Sequence, residues 1–205
     1  MDEKKADIVK EALEIYMKYG IKSVTMDEMA RQLGVSKKTL YVHVKDKNDL
    51  VEQCLMYGQM CDMEEIDKIA ETNDNAIEEL LEVGRYIIKT LGSIHPSIFF
   101  DLSKYHHSSL KSMQKHKNET VRGSIVNNLT RGIEQGVYRK NLSPNIISRL
   151  HIAMMDLIIS TEVFPHDEVS VEQAYLEFFR YHIRGIASEK GLESLKELIR
   201  NDENL

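Results

Sequence analysis

Apolar residues recur along this chain at three- and four-residue intervals, and no stretch alternates with period two between turn signals. The pattern predicts an all-α protein. A first helix over about 4–19 lines up Ile8, Ala12, Ile15 and Tyr19 on one stripe, with Val9, Leu13 and Tyr16 beside it. Gly20 is placed to end that helix in a left-handed conformation, with Ile21 folding back on Tyr16. Thr25 and Glu28 have the spacing of a capping box, and Val24 with Met29 that of a hydrophobic staple. The helix they open turns Met26, Met29, Ala30 and Leu33 towards a core and stops at Gly34. Ser36 then caps a third helix, with Val35 and Leu40 as its staple, and Asp46 with Asp49 starts a fourth. The link Gly34-Val35-Ser36 leaves room only for a tight turn, so the second and third helices must cross steeply. A support helix, two short helices and a glycine turn make a helix-turn-helix unit over 1–47.

Downstream, helices are predicted over about 47–70, 74–92, 96–106, 108–136, 144–164, 171–189 and 191–200, which makes 48–205 a larger helical domain. Each of the three prolines, Pro96, Pro144 and Pro165, precedes a segment able to begin a helix. A unit as small as 1–47 buries too little surface to be very stable alone, so it is expected to pack on the helix that starts at Lys47.

Charge sharpens the division. The chain of 205 residues carries a net charge of −6, which argues against a non-specific nucleic-acid coat. Residues 1–50 hold ten Lys/Arg against nine Asp/Glu, and residues 51–205 hold seventeen against twenty-four. From Arg31 to Lys47 there are five basic residues (Arg31, Lys37, Lys38, Lys45 and Lys47) and one acid, Asp46. A short basic stripe on an acidic protein suits a local phosphate contact, although a charge run is also what an ordinary solvated face looks like.

Other chemistry has little support. The apolar run 152–159 is interrupted by Asp156 and is far shorter than a membrane span. Asp156 itself is expected at a dimer seam or paired with Arg149 or His151. The opening MDEKKADIVKEAL lacks the apolar stretch of a signal peptide, so a cytoplasmic location without a membrane partner is expected. Cys54 and Cys61 lie seven residues apart on one predicted helix, a rise of about 10 Å that no intrachain disulfide spans. His95, His106, His107, His116 and His151 include no pair spaced i, i+4, and neither a metalloprotease motif, a nucleophile elbow nor a glycine-rich phosphate loop is present. No catalytic residue, metal or cofactor is expected.

The third helix carries the chemistry. Lys37 and Lys38 occupy its first two positions, where the helix dipole is positive and a stability-driven sequence would place Asp or Glu. Lys47 repeats the arrangement after the next cap. Lysines set against unpaired backbone N–H groups make an anion site, and the alternative is that they are simply solvated. Around the single core anchor Leu40 stand Lys37, Lys38, Thr39, Tyr41, Val42 and His43. Lys38 and Thr39 are candidates for base edges in a major groove, and Tyr41, His43 and Thr25 for the sugar-phosphate backbone. A surface imidazole without a role accounts for His43 equally well.

The stretch VTMDEMARQLGVSKKTLYVHVKDKNDL resembles the N-terminal DNA-binding domain of TetR-type transcriptional regulators. The matching features are the Thr-initiated second helix with its Ala, the L-G-V-S turn, the T-L-Y of the recognition helix, and Lys47 with Leu50. The family commonly has Tyr-Phe where this chain has His43-Val44. Farther on, Gly132 to Tyr138 is similar to the turn that ends a long helix in many relatives. The resemblance implies a double-stranded DNA operator as partner, a homodimer joined through its last long helices, and a pocket in the larger domain where a small molecule loosens DNA binding. For the interface the candidates are Ile147, Leu150, Met154, Leu157 and Ile158 on 144–164, and Tyr175, Phe178, Phe179 and His182 on 171–189. A purely internal core would explain the same apolar faces. For the pocket they are Tyr86, Phe99, Phe100, Tyr105, Met113 and Met155, with Arg122 and His151 as polar contacts. The expected function is a dimeric repressor released from its operator by a small-molecule ligand. Two alternatives stay open: an all-helical binding protein or enzyme with an acidic protein partner, and a DNA-binding regulator without an inducer.

Overall fold

Thr25 and Ser36 each accept a bond from the backbone N–H three residues ahead, at 3.2 Å from Glu28 and 3.0 Å from Thr39, and so begin two short helices. The computed structural model describes residues 3–160, 162–165 and 168–200. Its helices are α1 (Glu3–Tyr19), α2 (Met26–Gln32), α3 (Lys37–His43), α4 (Lys47–Thr72), α5 (Ala76–Ser93), α6 (Ser97–Tyr105), α7 (His107–His116), α8 (Arg122–Glu134), α9 (Pro144–Ile158), α10 (Val171–Ile186) and α11 (Glu189–Arg200). Among the described residues there is no strand, only an isolated antiparallel bridge between Tyr138 and Ala187.

Three local expectations are corrected. The reciprocal arm of the Thr25 capping box is not made, because the Glu28 carboxylate bonds Arg31 and, at 3.0 Å, Gln32 instead. The helix expected over 108–136 contains a π-helical turn, Lys117–Val121, between α7 and α8. The helix expected over 144–164 stops at Ile158; Val163 and Phe164 turn back to the Ser160 carbonyl ahead of Pro165, whose ring disfavours helical backbone before it.

The described residues form two compact units: up to Met63 together with Ser93–Lys115, and Glu64–Gly92 together with His116 onward. In unit one a single apolar cluster runs through Val9, Ala12 and Tyr16 of α1, Met29 of α2, Leu40 of α3, Leu50 and Cys54 of α4, and Leu102 of α6. A division at 47/48 follows the helix-turn-helix motif, whereas the compact units follow this core. The first three helices cannot cover their own apolar faces, and α4 and α6 complete the cover. Gly34 turns the chain between α2 and α3 at φ +64°, a conformation strained for any residue with a Cβ.

Unit two is built on close helix contacts. At Gly84 of α5 an added Cβ would lie 2.4 Å from the Phe179 ring of α10, so the glycine is the space that ring occupies. After α8, Tyr138 is fully buried and its hydroxyl donates to the Ala76 carbonyl at 2.9 Å, a carbonyl that also accepts from Asn128 at 3.0 Å. Glu79 of α5 is buried against Arg131 of α8 as an ion pair. Asp156 pairs with Lys117 of the π-helical turn rather than with Arg149 or His151, which accounts for a carboxylate inside an apolar run.

Candidate nucleic-acid interface

The third helix is fastened by one side chain. Leu40 is its sole fully buried residue, and burying a leucine contributes about 1.5–3 kcal/mol. The rest of α3 is left to solvent: Lys37, Lys38, Tyr41 and Val42 are exposed, and Thr39 and His43 are half-buried. Val42 is 74% exposed, more than any other apolar residue of this segment. It was not a sequence candidate, although its place beside the Leu40 anchor on so short a helix was the available signal. A β-branched methyl pair at this position suits contact with a thymine methyl in a major groove.

The lysines at helix starts differ from one another. The ammonium of Lys37 lies 2.6 Å from Asp27 of α2, and that carboxylate holds it above its ordinary range. Lys38 meets no hydrogen-bonding or charged partner among the described residues. Lys47 is turned inward: its Nζ donates to the Val24 carbonyl at 2.7 Å and the Lys22 carbonyl at 3.4 Å. Burial pulls its ammonium below the ordinary range, and the Asp101 carboxylate opposes that shift. Thr39 shares a 2.8 Å bond with Ser36, so its hydroxyl is engaged in the cap. Thr25 is exposed and accepts from Glu28 N, which leaves its hydroxyl proton to be donated outward. Together the exposed groups offer one uncommitted cation, one cation held by an acid, a phenol and an apolar tip on one short helix.

The ligand candidates are divided between the units. In unit one Phe99 is half-buried, Met113 packs against the core, and Phe100 and Tyr105 are exposed with Lys104 over both rings. In unit two Tyr86, Arg122 and Met155 are half-buried, and Arg122 donates to the Asn118 carbonyl at 3.2 Å. His151 is buried, with its Nδ1 3.2 Å from His182 Nε2 and its ring against Phe178. None of the eight lines the apolar groove of about 650 Å³ in unit two, whose walls include Met154, Ile158, Phe164, Leu176, Phe178 and Tyr181.

The interface candidates also separate. Tyr175, Phe178, Phe179 and Ile158 are buried within unit two and serve its own core. Ile147, Met154 and His182 are half-buried. Leu150 and Leu157 are 56% and 41% exposed, and with Ile146 they form an apolar stripe along α9 that nothing in the chain covers among the described residues. Those residues also include no group of three His, Cys, Asp or Glu poised for a metal, and no helix long and apolar enough to cross a membrane.

Residues 8–54 match the family model of bacterial regulatory proteins, tetR family. The chain is 23% identical to the HTH-type transcriptional regulator YvaF of Bacillus subtilis (strain 168) over 142 residues, 68% of this chain and 73% of that protein. Among solved structures, a transcriptional regulator from Saccharomonospora viridis in complex with choline superposes with a TM-score of 0.72 at 15% identity, over 92% of this chain and all of that one. The transcriptional regulator FadR from Bacillus subtilis in complex with stearoyl-CoA superposes with a TM-score of 0.61 at 16% identity, over 88% of this chain and 98% of that one.

Proposed function

We propose, from the premise that this chain belongs to the tetR family of bacterial regulatory proteins, that it is a homodimeric repressor whose hold on its operator is loosened by a small-molecule ligand. By its family it is a DNA-binding transcriptional regulator and not an enzyme, which sets aside the enzymatic alternative. In this reading α3 enters the major groove. Lys38 and Val42 meet base edges with Thr39 beside them, and Thr25, Lys37, Tyr41 and His43 contact the sugar-phosphate backbone. The observation that carries it is the exposure of Lys38, Tyr41 and Val42 around one buried anchor, inside the matched segment.

The dimer is supported by the stripe Ile146, Leu150 and Leu157, which fits a second copy of α9. Ligand control is supported by the two similar structures that hold choline and stearoyl-CoA. Selection of bound duplexes from a random-sequence library tests the whole reading. Enrichment of an inverted repeat, its half-sites about one helical turn apart, is the expected result. Recovery of no preferred sequence would overturn it. Lys38→Ala is expected to weaken binding to the selected site several-fold at fixed salt.

A further inference from the structure

Between α1 and α2 the chain leaves helical structure for a short link that aims the DNA-binding motif, and within unit one two charged side chains from elsewhere take hold of its backbone. On one side, Asp101 of α6 is 3% exposed and accepts the Lys22 backbone N–H at 2.9 Å. Its same oxygen accepts the Ser97 hydroxyl at 3.3 Å. On the other side, the Lys47 ammonium takes the carbonyls of Val24 and Lys22. The link also presses on the start of α6, where a Cβ at Gly20 would fall 2.4 Å from Ser97 Oγ, and the His95 N–H bonds the Met17 carbonyl at 2.8 Å.

Neither charge is where a core alone would put it. A buried carboxylate is costly unless hydrogen-bonded, and an apolar residue at 101 would fill the same space at no such cost. A lysine at the first position of α4 opposes the helix dipole, and so is also unfavourable by itself. Each is offset by backbone groups of the same link, one by its N–H and the other by its C=O. Asp101 and Lys47 thereby hold three peptide groups ahead of the Thr25 cap, those joining residues 21–22, 22–23 and 24–25.

We infer that Asp101 and Lys47 are positioning residues for operator binding, a two-sided clamp on the Lys22–Val24 backbone that sets the direction in which α2 leaves and hence where Thr25 and α3 meet DNA. The inference rests on the regulator reading above, and it removes Lys47 from the phosphate contacts expected of it.

The test measures operator affinity against salt for the full chain and for Asp101→Ala, Asp101→Asn, Lys47→Met and Ile98→Ala. Asp101→Ala and Lys47→Met are expected to lose at least tenfold in affinity at fixed salt, with the slope of log K against log salt unchanged because neither side chain neutralises a phosphate. Asp101→Asn keeps one acceptor oxygen for Lys22 N–H and is expected to recover most of the loss. Ile98→Ala, buried on the same helix, removes core packing but leaves both clamp side chains and their backbone partners in place, and is expected to keep its affinity while still folded. Wild-type affinity in folded Asp101→Ala would overturn the clamp alone. So would a Lys47→Met slope shallower by about 0.9 per site, the mark of a lost phosphate contact. A parent chain that prefers no sequence would instead overturn the regulator reading.

Discussion

The three charges at the α2–α3 corner give a quantitative test of which groups meet phosphate. Lys38 is exposed and uncommitted, whereas Lys37 is already neutralised by Asp27 at 2.6 Å. Each phosphate neutralised contributes about 0.9 to the slope of log K against log salt, so in a dimer Lys38→Ala removes about 1.8. Between 50 and 200 mM salt that difference amounts to about 12-fold, the parent losing that much more affinity than the variant. Lys37→Ala is expected to change the slope by less, because the ammonium must leave Asp27 before it can engage DNA. Asp27→Asn is expected to act in the opposite sense. It frees Lys37 and removes an acid from the contact face, so affinity rises at low salt and the slope steepens by up to about 1.8. Fluorescence anisotropy on one labelled operator across four or five salt concentrations measures all four slopes. Parallel lines for the parent and Lys38→Ala would refute the phosphate role, and an Asp27→Asn slope equal to the parent's would refute the competition.

Three further outcomes follow from unit two. Leu150→Glu is expected to turn the proposed dimer into a monomer in sedimentation equilibrium with unchanged helix content, since Leu150 is exposed in the single chain. The His151–His182 pair, one ring buried and the other half-buried, makes stability fall with acid. Burial, and for His151 also its neighbour His182, holds both imidazoles below their unfolded value of about 6.5, so the unfolded state binds more protons as pH drops. Unfolding free energies from urea titrations should therefore be level above about pH 6.5 and decline below it, by at most about 1.4 kcal/mol per pH unit for each imidazole; equal stability at pH 7.5 and 5 would contradict the lowered imidazoles. Gly84→Ala forces a Cβ against the Phe179 ring and is expected to cost about 1–3 kcal/mol in urea unfolding, part of it recovered by adding Phe179→Leu.

Helix starts were legible in the sequence because a cap needs only its own side chain and an N–H three residues on, as at Thr25 and Ser36. The helix-turn-helix followed from those caps and Gly34. Helix ends were less legible: α9 stops at Ile158 although apolar periodicity continues, because the turn ahead of Pro165 wins over periodicity. The place of α6 in the first core had no local signature at all. Its bond from Asp101 joins residues 79 positions apart, and nothing near either one announces the other. The same limit applied to α10. Its spacing showed an apolar face, but Tyr175, Phe178 and Phe179 turn out to be covered by their own chain, and spacing cannot distinguish that cover from a second copy.

The lysines at helix starts show what a dipole argument can and cannot decide. By sequence Lys37, Lys38 and Lys47 were equivalent, each a cation at the positive end of a helix and each asking for compensation. The argument identifies the deficit correctly but is silent on its source, since a phosphate, a carboxylate and a peptide carbonyl all supply negative potential. Lys47 finds two carbonyls, because the link from α1 to α2 is not helical and leaves acceptors that no helix ladder uses. Lys37 finds a carboxylate, because the tight Gly34 turn brings the start of α3 within reach of the first turn of α2. Lys38, one residue farther along the helix, faces away from both sources and finds nothing among the described residues. A misplaced cation therefore marks an external anion only once the acceptors within the chain have been assigned, and by that criterion Lys38 is the one of the three whose deficit is left to an external anion, DNA in the proposed reading.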